Sequence, residues 1–215
     1  MRKVIVSEFI SLDGVMQAPG GPEEDPVGGF ELGGWTFNYW DGMMDEAMGD
    51  AMKSPFDLLL GRKTYDIFAA HWPQAGDNPV ALLFNAATKF VATSSPDTLT
   101  WQNSQALVGD AAEAVAKLRK SEGPDLLVNG SSQLLQALIT NGLVDMYRLW
   151  VFPLVLGKGK KLFGGGTVPA GLKLVESKVS TTGVNMLTYQ PAPMKKPGSF
   201  ALEQPTSAEL GVSNT

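Results

Sequence analysis

The stretch Asp57-Leu-Leu-Leu-Gly-Arg-Lys-Thr-Tyr-Asp-Ile-Phe68 predicts a buried strand, a tight turn and a helix start in immediate succession. Its apolar run ends at Gly61, and the first turn of the predicted helix carries Arg62, Lys63 and Thr64. Free N–H groups at a helix start attract anions, whereas cations there oppose the helix dipole unless an anion binds beside them. The stretch therefore indicates either a phosphate-binding turn or a solvated basic helix start, and the segment alone leaves both open.

Two other predicted strands end in the same way, with small or hydroxyl-bearing residues. These ends are Thr93-Ser94-Ser95 and Asn129-Gly130-Ser131-Ser132-Gln133. Ligands of α/β sheets bind outside the carboxyl ends of the strands, so three such ends together suit an extended, multiply phosphorylated ligand such as a dinucleotide. Small residues at strand–helix junctions are also ordinary turn chemistry, and that alternative stays open for each end taken singly.

The chain outside these turns alternates between strand and helix patterns. Strands are predicted over Lys3–Ile10, Phe56–Leu60, Lys89–Thr93, Leu99–Trp101, Asp125–Val128 and Met146–Phe152, and a terminal antiparallel hairpin over Lys173–Val179 and Val184–Tyr189. Helices are predicted over Asp41–Lys53, Arg62–Ala70, Pro79–Ala86, Asp110–Ser121 and Gln133–Ile139. The pattern favours one α/β domain over 1–190 around a mainly parallel sheet, followed by a mostly disordered tail over 191–215.

Composition excludes several classes of function. The formal charge is −5 with a pI near 4.9, which makes nucleic acid a poor partner. The chain has no cysteine and a single histidine, so thiol catalysis and a cysteine-ligated zinc site are excluded and no metal site is predicted. The charged residues in its short N-terminal apolar run argue against a signal peptide, and no apolar run approaches membrane-spanning length. We therefore expect a cytoplasmic protein without a membrane partner.

Residues 14–42 form a long segment rich in glycine, proline and aromatic side chains. Long loops inside a compact domain are usually functional, and aromatic side chains are costly to expose. The segment is therefore expected to fold over something flat and apolar. Taken without any family resemblance, Trp35 and Trp40 are expected to cap the core.

The order of motifs resembles the dihydrofolate reductase superfamily, most closely the reductase-like domain of the bacterial riboflavin-synthesis deaminase/reductase and its stand-alone relatives. The motifs are Ser11-Leu-Asp-Gly14, Gly61-Arg-Lys-Thr-Tyr65, Val128-Asn-Gly-Ser131, and Leu143-Val-Asp145 leading to Pro153–Phe163. The resemblance spans about residues 3–190. It implies a three-layer α/β/α dihydrofolate-reductase-like fold, a mixed, mostly parallel sheet with a C-terminal antiparallel hairpin, NADPH as hydride donor, and a homodimer formed through the late strands.

The resemblance also assigns binding residues. It gives Trp35 and Trp40 the role of the family's mobile active-site loop, in which they pack against a flat heterocyclic substrate. Residues Gly61, Arg62, Lys63 and Thr64 match the family segment for the pyrophosphate and 2′-phosphate region, and Ser94 and Ser95 match its adenosine-phosphate loop. Residues Gly130, Ser131, Ser132 and Gln133 match the glycine-rich turn at the pyrophosphate. This chain has Asn129-Gly130-Ser131 where folate-reducing members have consecutive glycines.

Two carboxylates are candidate catalytic acids. Asp45 lies 61 − 45 = 16 positions before Gly61, the spacing of the carboxylate that faces the pterin in folate-reducing members. The alternative places it on the solvated face of an acidic helix. Asp13 is the other candidate, and its alternative is a plain turn residue.

The predicted function is an NADPH-dependent reductase that transfers a hydride to a small planar heterocycle, of pteridine or ribosylaminopyrimidine type as in riboflavin biosynthesis. The alternative, from a different class, is a non-catalytic nucleotide-binding module on the same fold.

Overall fold

The computed structural model of the chain describes residues 1–164 and 167–200. Its strands are β1 (Val4–Ser11), β2 (Phe56–Gly61), β3 (Lys89–Ala92), β4 (Ser104–Leu107), β5 (Asp125–Val128), β6 (Met146–Phe152), β7 (Gly171–Val179) and β8 (Asn185–Ala192). Its α-helices are α1 (Gly42–Ala51), α2 (Arg62–His71), α3 (Pro79–Ala86), α4 (Ala111–Leu118) and α5 (Ser132–Thr140). Short 3-10 turns lie at Phe37–Tyr39, Trp72–Gln74 and Pro96–Thr98.

The strands form one sheet in the order β4-β3-β2-β5-β1-β6-β8-β7. The first six strands in this order run parallel, whereas β8 pairs antiparallel with both β6 and β7. The predicted α/β class, the mostly parallel sheet and the C-terminal antiparallel hairpin are confirmed. Because β2, β3 and β5 are neighbours and run parallel, the three turns that follow them lie together at the carboxyl ends of the strands.

Alternation along the strands distributes the core over both faces of the sheet. In β1, Val4 and Val6 point toward α4 and α5, whereas Ile5 joins the cluster under α2 and α3. A third cluster packs Met44 of α1 against Phe152 of β6. Helices thus cover both faces, and the molecule has the predicted three layers.

One predicted strand is wrong. Residues Leu99–Trp101 lie in a loop, and the strand forms later, at β4. Side-chain hydrogen bonds hold Trp101 in that loop, since its backbone N donates to Tyr65 Oη at 2.8 Å and its Nε1 donates to Asn85 Oδ1 at 2.8 Å. The apolar pattern of Leu99–Trp101 therefore predicted the burial of Trp101 correctly, but it did not predict that these residues lie outside the sheet.

At the other end of the domain, β8 continues through Pro191 and Ala192, past the predicted boundary at 190. The predicted tail lies largely at 201–215, outside the described residues. Within 1–164 and 167–200, the helices are too short or too polar to cross a membrane.

Candidate functional site

Three neighbouring strands, β3, β2 and β5, end at one large cavity of about 1650 Å³. Single drug-sized ligands occupy sites of roughly 300–1,000 Å³, so this cavity has room for two ligands side by side or for one extended ligand. Its wall is mainly apolar, as in most small-molecule sites, with polar groups concentrated at the strand ends.

The turns after β2 and β5 pack directly against each other. The Gly61 amide donates to the Gly130 carbonyl oxygen at 3.1 Å. A Cβ atom at Gly61 would lie 2.1 Å from Ser131 Oγ, and one at Gly130, where φ is +103°, would lie 2.7 Å from Thr64 Oγ1. Both positions therefore require glycine, and their close approach brings the N-termini of α2 and α5 to the same cavity.

Most of the predicted cofactor residues line this cavity. From the β2 and β3 ends these are Gly61, Arg62, Lys63, Thr64 and Ser94, and from the β5 end Ser131, Ser132 and Gln133. The other two, Ser95 and Gly130, are not on the wall but support it, because Gly130 holds the β2 turn and Ser95 accepts a bond from Arg62. The structure thus brings the three predicted turns together.

Arg62 bridges two of these turns. Its Nε donates to Asp66 Oδ1 at 2.9 Å, and its Nη1 donates to the Ser95 carbonyl at 3.3 Å and to Thr98 Oγ1. The guanidinium is therefore held across the carboxyl ends of β2 and β3, next to exposed Lys63. This corner of the cavity is cationic and suits a phosphate group.

Asp45 and Trp40 also lie on the cavity wall and contact each other. Trp40 Nε1 donates to Asp45 Oδ1 at 2.7 Å, and the Asp45 side chain is exposed. The Trp40 ring packs against Phe9 and Trp150, with centroids 5.7 and 5.6 Å apart. The tryptophan thus presents a flat apolar surface at the cavity, and the role of Asp45 as an acid stays a prediction.

Asp13 and Trp35 lie off the cavity wall. Asp13 accepts from Ser11 Oγ at 2.7 Å and from the amides of Leu156 and Gly157 at 3.0 and 2.9 Å, and these bonds, that of Ser11 first, lower its pKa to about 2. A carboxylate so held closes a turn, and the role of Asp13 as an acid stays a prediction. Trp35 donates from Nε1 to the Gln17 carbonyl at 2.8 Å and packs edge-on against Phe152, which makes it a brace for the loop.

Sequence reasoning missed Glu8, which the structure buries on the cavity wall in the middle of β1. Burial, reinforced by the nearby Glu24 carboxylate, raises the pKa of Glu8 well above its usual value. A signal existed in the sequence, because Glu8 interrupts the apolar run of the first strand.

Buried polar atoms without partners concentrate at the same cavity. Among the described residues there are five such side-chain atoms, and four belong to residues on the cavity wall. These four are Glu8 Oε1, Asp25 Oδ1, Asn129 Oδ1 and Trp72 Nε1. An unpartnered buried polar group costs about 1–3 kcal/mol, so this wall keeps hydrogen-bonding capacity for ordered water or for a polar ligand.

The loop over residues 14–42 covers the cavity and is anchored at two points. Asp25 pairs with Lys160 at 2.5 Å, and Gln17 accepts from the Lys160 amide at 3.0 Å while its Nε2 donates to the Asp25 carbonyl at 2.9 Å. Glu24 accepts from the amides of Gly20 and Gly21, and burial raises its pKa. The cavity therefore has a cationic end at α2 and a carboxyl-rich end under this loop.

Comparisons with known proteins agree with this geometry. The family model described as the RibD C-terminal domain matches residues 2–187. The uncharacterized protein YyaP of Bacillus subtilis (strain 168) is 28% identical over 195 residues, which cover 87% of this chain and 94% of the relative.

Two solved structures share the fold at lower identity. The first is the diaminohydroxyphosphoribosylaminopyrimidine deaminase/5-amino-6-(5-phosphoribosylamino)uracil reductase of Thermotoga maritima, with a TM-score of 0.57 and 15% identity over 89% of this chain and 57% of that longer chain. The second is dihydrofolate reductase from Enterococcus faecalis, solved with NADP(H) and RAB-propyl, with a TM-score of 0.55 and 18% identity over 88% of this chain and 96% of that one. The dihydrofolate-reductase-like fold predicted from the sequence is thereby confirmed.

Proposed function

The chain belongs to the RibD C-terminal domain family, and from that premise we propose that it is an NADPH-dependent reductase acting on a small planar heterocycle of pteridine or ribosylaminopyrimidine type. One observation carries the proposal: three turns suited to phosphate meet at a single cavity large enough for a dinucleotide and a second ligand.

The residues at the cationic end fit a dinucleotide phosphate. The N-termini of α2 and α5, whose first N–H groups have no side-chain cap, would hold the pyrophosphate, and Arg62, aligned by Asp66, would hold a 2′-phosphate. The hydroxyl groups of Thr64, Ser94 and Ser132 add hydrogen-bond donors on the same wall.

The remainder of the cavity fits a flat substrate. Trp40 offers an aromatic face, and the 14–42 loop, anchored by Lys160, shields the space from water. When bound, NADPH supplies the hydride, and the protein's own contribution is to align two rings and keep solvent away from them.

A titration of the purified protein with NADPH and NADH tests the proposal. Nicotinamide fluorescence and thermal stability are followed together, because a ligand that binds the folded state raises the unfolding temperature. Tighter binding of NADPH than of NADH is expected, and oxidation of NADPH is then screened with dihydrofolate, dihydropterins and ribosylaminopyrimidines. Failure of both nucleotides to bind would refute the reductase.

A second function, a nucleotide-binding module without turnover, is favoured by the placement of the two predicted acids. Asp13 lies off the cavity wall, and Asp45 is exposed and bonded to Trp40. NADPH binding with no turnover of any acceptor in the screen would support the module. The predicted cytoplasmic location and homodimer remain proposals under either function.

A further inference from the structure

Glu8 lies on β1, two strands away from the cationic corner of the cavity at Arg62 and Lys63. Its strand, β1, is adjacent to β5, two strands from β2 and three from β3. At about 4.8 Å per strand, Glu8 is therefore offset by roughly 10 Å from the Gly61 turn and roughly 14 Å from the Ser94 turn. An extended ligand that begins at these turns and crosses β5 reaches β1 with its other end.

The surroundings of Glu8 favour its uncharged form. Glu8 is only 7% exposed, and it takes part in none of the ion pairs of the described residues. The like charge of Glu24 raises its pKa further, while Lys160, on the same cavity wall, is already paired with Asp25. A carboxyl group buried without a counter-charge is held neutral.

A neutral carboxylic acid offers one donor and one acceptor in the same plane, and Glu8 Oε1 has no protein partner for either role. The complementary ligand group carries an acceptor beside an N–H donor, as a primary carboxamide does. A carboxamide has a second N–H as well, and the unpartnered oxygens of Asp25 and Asn129 on the same wall are acceptors.

We propose that Glu8 is the residue that recognises the carboxamide of the nicotinamide ring, by a paired donor–acceptor contact at the β1 end of the cavity. The proposal rests on the proposed function, because it requires NADPH to lie with its phosphates at the α2 and α5 turns. Glu8 is then a positioning residue that fixes the rotation of the nicotinamide ring against the substrate.

Binding measurements with two reduced cofactors test this contact. NADPH carries the carboxamide, whereas its 3-acetylpyridine analogue replaces the amide nitrogen with a methyl group and loses both N–H donors. Each is titrated against the wild type, Glu8→Leu, Glu8→Gln and the control Glu46→Gln, an exposed carboxylate off the cavity wall. Circular dichroism confirms that each variant is folded.

Glu8→Leu should weaken NADPH binding about tenfold. Its affinity for the 3-acetylpyridine analogue should change by no more than about threefold, because the lost hydrogen bonds are those made with the amide group. Glu8→Gln should bind NADPH with nearly the wild-type affinity, because a glutamine amide also offers a donor and an acceptor side by side. Glu46→Gln should change the affinity for neither cofactor.

Equal weakening of both cofactors by Glu8→Leu, or wild-type affinity for NADPH in that variant, would overturn the assignment while the proposed function stands. If the wild type itself binds neither cofactor, the proposed function fails, and the two failures are therefore distinguishable.

Discussion

The two ends of the parallel strands differ in how far their polar groups are paired within the chain. At the edge where the strands begin, Arg2 pairs with Asp57, and Asp145 accepts from Arg119 at 2.7 and 2.8 Å. At the edge where the strands end, Glu8 keeps a buried oxygen without a partner, as do two other residues on the cavity wall. Both ends carry buried charged groups. At the end where the strands begin, here called the closed edge, most of these groups have a partner within the chain. At the end where the strands finish, here called the open edge, several have none.

This difference separates stability from binding. A satisfied buried pair contributes to the fold because breaking it strands a charge, whereas an unsatisfied group lowers stability until a ligand completes it. Substitutions at the beginning of the strands should therefore change unfolding, and substitutions at the end should change ligand affinity.

The largest effect is expected from Asp57→Asn at the closed edge. The variant keeps an acceptor for the Thr88 amide but leaves the Arg2 guanidinium, whose side chain is 3% exposed, without a counter-charge. Breaking a buried pair in this way costs about 3–5 kcal/mol, which urea unfolding measures. The matched control is Asp50→Asn in the exposed pair with Lys53, which should leave the midpoint unchanged. A midpoint for Asp57→Asn equal to the control would show that the closed edge is not held by charge pairing.

Arg62→Ala at the open edge should act on ligand affinity. The loss of a charge-assisted hydrogen bond to the 2′-phosphate should weaken NADPH by about 1.5–3 kcal/mol and leave NADH nearly unchanged. Fluorescence titration measures both affinities, with Lys117→Ala as a control that removes an exposed cation from α4. Equal losses of affinity for NADPH and NADH would contradict the proposal that Arg62 binds the 2′-phosphate.

Lys89 is the exception at the closed edge, because its neighbours are uncharged. Its Nζ donates to the Asn85 carbonyl at 2.8 Å and lies 4.2 Å from the centroid of the Trp101 ring, and burial lowers its pKa to about 8. The folded state then binds fewer protons than the unfolded state between about pH 8 and about pH 10.5, so this group makes the protein more stable as pH rises through that window.

Lys89→Met should therefore stabilise the protein at neutral pH by about 1–2 kcal/mol and abolish this rise. The Asn85 carbonyl keeps donors from Gln102 and Asn103, both at 3.3 Å. Urea unfolding at several pH values tests the prediction, and a destabilised variant with an unchanged pH dependence would contradict it.

The smallest effect is expected from Asp13→Asn, which tests whether this predicted acid belongs to the site. Because the pKa of Asp13 is lowered to about 2, its contribution to stability is present above its ordinary pKa and is lost as pH falls through about 2. The variant should lose about 1 kcal/mol at neutral pH and bind NADPH as the wild type does. A loss of NADPH affinity without a loss of stability would return Asp13 to the candidate site.

Local patterns predicted most of the fold. The turn at Gly61, the start of α4 at Asp110 and the terminal hairpin all follow from short-range chemistry, and the Asp110 carboxylate does accept from the Glu113 amide at 2.9 Å. The prediction over Leu99–Trp101 was wrong because burial of Trp101 comes from Tyr65 and Asn85, which are distant in the chain.

The sequence predicted the turns at the strand ends, which do line one cavity, and missed Glu8 on the same wall. Each turn is a contiguous motif, so the sequence alone could identify Gly61–Thr64 and Gly130–Gln133. Glu8 is a single residue whose environment is built by Glu24 and by the 14–42 loop, and no local pattern reports that contact.

The sequence by itself therefore determined the alternation of strands and helices and the three turns at the strand ends, because periodicity and turn chemistry act over a few residues. Only the tertiary structure decided which polar groups are paired and which are left free. Pairing depends on strand order and loop placement, which bring Arg2 to Asp57 and leave Glu8 facing a cavity.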